Sequence, residues 1–141
     1  MPGASPRHPF PHPLRVYWED TDAGGVVFYA NYLKYFERAR TEWLRSLGFS
    51  QERLRTESGV LFVVSQTELR CLRPARLDDL LHVSANLVHA GQASMTIAQQ
   101  AQRVQDGSAD AIAAGTIRIA CVDLATWRPR RIPESILATL A

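Results

Sequence analysis

One long amphipathic helix, predicted from about Ala30 to Leu47, is the feature that most constrains the fold of this chain. Apolar residues recur at helical spacing, and charged residues largely occupy the other faces. The apolar set is Tyr32, Leu33, Phe36, Ala39, Trp43, Leu44 and Leu47. Gly48 follows as a natural helix stop. A helix with this much aromatic and aliphatic surface on one side needs a cover, which the rest of the chain must supply as a sheet.

The chain after this helix changes from helical to strand periodicity. Ser50 to Glu57 predicts a short helix, and alternating patterns then predict four consecutive antiparallel strands. These strands cover about 60–71, 81–90, 93–104 and 109–122, with a hairpin signal at Asp106-Gly107 and a further short helix at 133–140. Another strand, Leu14 to Trp18, precedes the long helix. The pattern predicts an α+β fold with one helix covered by a five-stranded antiparallel sheet.

The length and composition of the chain fit one domain. Its 141 residues are 46% hydrophobic, which is ample for a core spanning 14–141. Met1 to Pro13 is rich in proline and aperiodic, and it is predicted to be a disordered tail. No apolar run approaches the roughly 18 residues of a membrane span, and a net charge of +2 gives no support for nucleic-acid binding. We expect a cytoplasmic protein.

The cysteines and histidines do not show the spacing of a metal or redox site. Cys71 and Cys121 fall in apolar strand-like runs, so we expect both thiols to be reduced, buried and inert. His82 and His89 are interpreted as surface or hydrogen-bonded histidines. No Gly-x-Ser-x-Gly elbow, P-loop or dinucleotide-binding glycine motif is present in the sequence. The sequence predicts no metal and no cofactor.

A glycine-rich turn with two carboxylates, Asp20 and Asp22, lies between the first strand and the long helix. An aspartate at such a place commonly makes an Asx turn or a helix cap. It can also be a functional carboxylate, because the following helix offers unpaired N–H groups and a dipole that stabilise negative charge. A calcium loop starting at Asp20 is disfavoured, since Gly24 and Asn31 would occupy ligand positions. The residues alone leave the turn and the functional interpretations open.

Two segments resemble the hotdog-fold thioesterases of the 4-hydroxybenzoyl-CoA thioesterase family, and especially the acyl-CoA thioesterases associated with the Tol-Pal system. The first runs from Arg15 to Phe49 and includes Glu-Asp-Thr-Asp-Ala-Gly-Gly-Val-Val at 19–27 and Phe-Glu-Arg-Ala-Arg-Thr-Glu at 36–42. The second is Pro-Ala-Arg-Leu-Asp-Asp-Leu at 74–80. The likeness covers nearly everything from Leu14 onward.

This resemblance implies a hotdog fold, in which sheets of two subunits join and dimers commonly assemble into a homotetramer. It implies that Asp22 is catalytic and that the backbone N–H of Tyr29 polarises the thioester carbonyl. Tyr29 stands where many near relatives carry histidine and the hydroxybenzoyl branch carries tyrosine. Substrate contacts are expected from Gly25 and Val26. Phosphate contacts to CoA are expected from the cluster Arg70, Arg73 and Arg76 of a neighbouring subunit.

The implied reaction is hydrolysis of an acyl-CoA thioester to a free acid and CoA. Asp22 could attack the carbonyl directly or activate water as a general base, and the sequence leaves both routes open. An acyl-carrier-protein thioester is a further candidate substrate, and the acyl group could be aliphatic or aromatic. A non-catalytic acyl-CoA or acyl-carrier-protein binding hotdog protein is the alternative, whereas a hydratase is disfavoured because the loop before the helix lacks histidine.

Overall fold

The computed structural model of the protein describes residues 11–140, which form five strands and three helices. The elements are β1 (His12–Arg15), α1 (Asn31–Ser46), α2 (Gln51–Arg53), β2 (Val60–Cys71), β3 (Leu80–Ala90), β4 (Ser94–Gln105), β5 (Ser108–Asp123) and α3 (Glu134–Leu140). A 3-10 turn (Trp18–Asp20) precedes α1, and a π-helical turn (Leu54–Ser58) continues α2. This order of elements confirms the predicted α+β fold. No helix within 11–140 has the length and apolarity needed to cross a membrane.

The strands form a single antiparallel sheet in the order β1-β3-β4-β5-β2. β3, β4 and β5 follow one another in the chain and in the sheet, while β2 crosses over to pair with β5. Register shifts interrupt β2 at Val64/Gln66, β3 at Leu87/His89 and β4 at Ala101/Gln102. Such bulges bend and twist strands. The sheet therefore curls, leaving β1 and β2 at its two edges.

Helix α1 packs its apolar face into the curled sheet. Tyr35, Phe36 and Ala39 are completely buried. The strands supply a matching layer of buried residues, which includes Leu81, Val83, Met95, Ile97, Ile117 and Ile119. Gly115 leaves room for the helix, since a Cβ there would lie 3.1 Å from Cε2 of Phe36, and it would also lie 2.6 Å from the carbonyl oxygen of Glu68 on the neighbouring strand β2. The helix and sheet thus share one core.

The first strand begins earlier than predicted. His12 and Pro13, which the sequence analysis placed in a disordered tail, pair with Val83 and His82 as part of β1. Proline is tolerated there because β1 is an edge strand and need not donate from every residue. The rest of the predicted tail, residues 1–10, lies outside the described residues.

The two cysteines differ in exposure, so the prediction that both are buried was wrong. Cys121 is buried in the core, and this burial raises the pKa of its thiol. Cys71 is exposed because it is the last residue of the edge strand β2. The apolar–polar alternation of the sequence continues to this residue, but no other element of the described chain packs over it. Strand alternation does not indicate whether another layer covers the end of an edge strand.

Candidate active site

The carboxylate turn forms a tight hairpin immediately before α1. Thr21 bridges to Val27, the amide of Asp22 donates to the carbonyl of Val26 at 2.9 Å, and the amide of Gly25 donates to the carbonyl of Asp22 at 3.0 Å. Gly25 adopts a φ of 80°, a left-handed conformation that favours glycine. The backbone therefore fixes Asp22 at the tip of a short, defined turn.

Asp22 has one carboxylate oxygen engaged and one free of protein donors. Its Oδ1 accepts a hydrogen bond from the amide of Gly24 at 2.8 Å, which is an Asx turn. Within residues 11–140, no donor reaches Oδ2, and the side chain is exposed. The Asx-turn interpretation is confirmed, and it is compatible with chemistry, because the turn orients the carboxylate while leaving an oxygen available.

Asp20, two residues earlier, has the opposite environment. It is only 6% exposed, and its carboxylate accepts hydrogen bonds from the amide of Tyr17 and from Nδ2 of Asn31, each at 2.8 Å. Its carbonyl also accepts from the amide of Phe28 at 2.9 Å. Burial raises the pKa of nearby Tyr35, and the negative charge of Asp20 adds to this rise. Asp20 fastens the 3-10 turn to the start of α1.

The beginning of α1 presents two unpaired backbone amides. The amides of Asn31 and Tyr32 donate to the carbonyls of Phe28 and Tyr29, at 2.8 and 3.2 Å. Among the described residues, the amides of Tyr29 and Ala30 have no acceptor. These N–H groups lie at the positive end of a 16-residue helix. They are suited to hold a developing oxyanion, and one of them is the predicted Tyr29 donor.

The second motif brings one of the three predicted arginines to the hairpin. Val26 bridges to Arg76, whose own amide donates to Oδ2 of Asp79 at 2.8 Å, and the amide of Val27 donates to the carbonyl of Ala75 at 2.8 Å. The 74–80 segment is thus joined by backbone hydrogen bonds to the turn that carries Asp22.

The other two arginines lie elsewhere in the single chain. Arg73 donates from Nη1 to the carbonyl of Ala111 at 2.9 Å. Arg70 lines a groove of about 300 Å³ on the sheet face that points away from α1, together with Glu68 and Gln100. Of the three predicted arginines, Arg76 alone bonds to the carboxylate hairpin within residues 11–140.

Sequence reasoning missed Arg103, which supports this segment from β4. Its Nη1 lies 3.3 Å from Oδ2 of Asp79, and the same nitrogen donates to the carbonyl of Pro74 at 3.3 Å. The contact joins residues 24 positions apart. No local pattern could have predicted it, because β4 reaches this segment only through the fold of the sheet.

A cleft between α1 and the edge strand β2 begins one turn after the unpaired amides. Its outer cavity, of about 280 Å³, is lined by Leu33, Lys34, Glu37, Arg40, Val64, Thr67 and Ile117. An inner cavity, of about 250 Å³, shares Glu37, Arg40 and Val64 with the first. Leu33, Glu37 and Arg40 follow Tyr29 at helical spacing, so the cleft lies along the stripe of α1 that begins at the unpaired amides.

Comparison with known proteins identifies the family. The model of the thioesterase-like superfamily matches residues 16–140. Acyl-CoA thioesterase YbgC of Haemophilus influenzae is 41% identical over 129 residues, which cover 92% of each chain. The crystal structure of a probable thioesterase from Bartonella henselae is 32% identical, with a TM-score of 0.81, and the match covers 89% of this chain and all of that one.

A more distant structure confirms the fold alone. It is a mutant of 4-hydroxybenzoyl-CoA thioesterase complexed with 4-hydroxybenzoyl-CoA, which is 16% identical with a TM-score of 0.86 over 94% of this chain and 99% of that one. The family model and the Haemophilus relative confirm the resemblance found in the sequence motifs. The chain belongs to the thioesterase-like superfamily, with the hotdog fold, in the group of acyl-CoA thioesterases that the Haemophilus protein represents.

Proposed function

We propose that this protein hydrolyses acyl-CoA thioesters with the Asp22 carboxylate as the reacting group and the Tyr29 amide as the oxyanion donor. The observation that carries the proposal is the combination of a free carboxylate oxygen on a backbone-fixed hairpin with unpaired amides at the start of α1. The names of the relatives support the substrate class, since they are acyl-CoA thioesterases and the matches cover most of each chain.

The chemistry needs few groups because thiolate is a good leaving group. A thiol has a pKa near ~8.5, so expulsion requires little help from an acid. Oδ2 of Asp22 attacks the thioester carbon, the carbonyl oxygen becomes an oxyanion held by the Tyr29 amide, and CoA thiolate leaves to give an acyl-aspartyl anhydride. Water then cleaves the anhydride and restores the carboxylate. Alternatively, Asp22 takes a proton from the water that attacks the thioester.

The surrounding residues would orient the substrate. Gly25 and Val26 present the hairpin backbone beside the reacting carboxylate, and exposed Arg76, which bridges to Val26, would meet a phosphate of CoA. Arg70 and Arg73 lie outside this site in their own subunit. Any contact they make with CoA would come from their position in a neighbouring copy.

The free edge of the sheet supports a proposal of self-association. β2 has 12 residues and, within the described chain, pairs only on its β5 side. Val64 on this strand is 51% exposed. A long edge strand with exposed apolar side chains is a template for pairing with another strand. We therefore propose a homodimer through β2, assembled further into a homotetramer, acting in the cytoplasm.

The test of the activity is a turnover panel with the whole protein. Straight-chain acyl-CoA thioesters from acetyl to palmitoyl, benzoyl-CoA, 4-hydroxybenzoyl-CoA and one acyl-carrier-protein thioester are compared by thiol release. We expect hydrolysis of at least one acyl-CoA at a kcat of about 1 per second or more, within the usual range for enzymes. Binding of acyl-CoA without thiol release from any member would overturn the proposal in favour of a non-catalytic binding protein.

A further inference from the structure

Arg40 is a buried charge without a counter-ion in the described chain. It is 8% exposed, and no carboxylate lies within 4.0 Å of its guanidinium among residues 11–140. Within the described part of the chain, its one hydrogen bond runs from Nη1 to Oε1 of Gln99, at 2.9 Å. Burial lowers the pKa of Arg40, and the charge of Glu37 partly opposes this effect. A guanidinium has five N–H donors, so most of its capacity is unused by protein.

A rigid polar contact holds this guanidinium in place. Gln99 is 3% exposed, and its Nε2 donates to the carbonyl of Phe36 at 2.9 Å and to the carbonyl of Ser84 at 3.2 Å. The amide of Gln99 is thus fixed by α1 and β3 together, and its oxygen fixes Arg40. The charge cannot leave its position without breaking a buried hydrogen bond.

Arg40 stands at the junction of the two cavities of the cleft. The outer cavity begins at Leu33, one turn beyond the Tyr29 amide, and the inner cavity continues to Trp43. Ten residues of helix separate Leu33 from Trp43, a length of about 15 Å. The inner cavity is mostly apolar, with Trp43, Leu44, Phe62, Val63, Val64, Ile97 and Ile119 in its lining.

We propose that Arg40 limits the length of the acyl chain that the cleft accepts. The inference rests on the proposed thioesterase activity and adds a specificity-determining residue to it. An acyl group whose carbonyl lies at the Tyr29 amide extends along α1 into the outer cavity and stops at the guanidinium. The apolar inner cavity stays unused, because a longer chain must displace the water that solvates a buried charge.

The physical reason is the free-energy cost of packing methylene groups against charged N–H donors that then have no hydrogen-bond acceptor. A short acyl group leaves room for water on the unused N–H groups of Arg40. A chain that reaches past Arg40 replaces this water with hydrocarbon, and the donors gain no new partner. Since the loss is paid only by long chains, it sets a length limit. We expect kcat/KM of the wild-type protein to fall about tenfold or more once the chain passes Arg40.

The experiment compares chain-length profiles of kcat/KM for the wild type and Arg40→Met. Methionine has a flexible apolar side chain that can line the passage without a charge. The variant should move the optimum to longer chains and raise kcat/KM for the first rejected length by about tenfold. Arg45→Met is the matched control, since Arg45 is an exposed arginine of the same helix that pairs with Glu42 and lines neither cavity. Its profile should equal that of the wild type.

Arg40→Gln is a second variant that keeps the test valid if Arg40→Met does not fold. Glutamine removes the charge but keeps an N–H donor for Gln99, so it should shift the profile in the same direction even if Arg40→Met is unstable in a thermal melt. Phe62→Trp, added to the folded Arg40 variant, narrows the inner cavity and should restore the short limit. Unchanged profiles in a folded, active Arg40 variant would overturn the inference. Failure of the thioesterase proposal is distinguishable, because the wild type would then hydrolyse no acyl-CoA.

Discussion

At the scale of the residue, two aspartates close together in the chain differ in exposure and in hydrogen bonding. Asp22 is exposed with one free oxygen, whereas Asp20 is buried with both oxygens bonded. The Asx turn of Asp22 could be predicted from a nearby glycine-rich sequence, because it is a local contact. The burial of Asp20 could not, since its side-chain partner Asn31 is 11 residues away and meets it only when α1 docks.

Replacing Asp20 by asparagine should destabilise the fold. The asparagine side chain keeps one acceptor oxygen, but its NH2 group faces either the Tyr17 amide or Nδ2 of Asn31. Both of these groups are donors, so one of them loses its acceptor. Loss of a buried hydrogen bond of this kind costs about 1–3 kcal/mol, so the melting temperature should fall by several degrees. A thermal melt checks this, with exposed Glu19→Gln as the matched control from the same turn. Equal melting of the two variants would show that Asp20 does not fasten the helix start.

At the scale of the element, α1 and the strands were predictable because their periodicity is strong and their ends carry turn signals. The predicted helix at 30–47 is found at Asn31–Ser46, and the hairpin at Asp106-Gly107 joins β4 to β5. The predicted start of β1 and the predicted burial of Cys71 were wrong for one shared reason. Both lie on edge strands, where pairing and cover depend on the rest of the sheet and not on local alternation.

The close packing of Gly115 in β5 against β2 predicts a severe effect of Gly115→Ala. The new Cβ would lie 2.6 Å from a backbone oxygen of β2, which cannot move aside as a flexible side chain can. Overpacking of this kind costs typically about 1–3 kcal/mol, and more where backbone must shift. We expect a lower melting temperature than that of Thr116→Ala, a change at the exposed neighbouring position of β5. A Gly115→Ala protein as stable as the wild type would contradict the close contacts of Gly115 with β2 and Phe36.

At the scale of the whole molecule, the unpaired edge of β2 predicts self-association. Light scattering of the wild type at assay concentration should give the mass of a dimer or a tetramer. Val64→Lys places a charge on the exposed apolar position of this edge and should shift the protein toward monomer. Thr116→Lys, on an exposed position of the inner strand β5, should leave the assembly unchanged. An active wild-type monomer would contradict the proposed assembly.

The catalytic identity of Asp22 is the central claim about the molecule. Asparagine at this position retains the Asx turn but has no negative charge, so it can neither attack a thioester nor take a proton from water. Fold and acyl-CoA binding should therefore persist while turnover is lost.

The direct measurement is kcat for thiol release by Asp22→Asn on the best acyl-CoA substrate, with a thermal melt of the same sample. We predict a fall of about 100-fold or more, the scale of losing a general base, with a melting temperature equal to that of the wild type. Glu19→Gln removes an exposed carboxylate from the preceding turn and should keep wild-type turnover. If Asp22→Asn turns over within a few-fold of the wild type, Asp22 is a turn residue and the account of the active site is wrong.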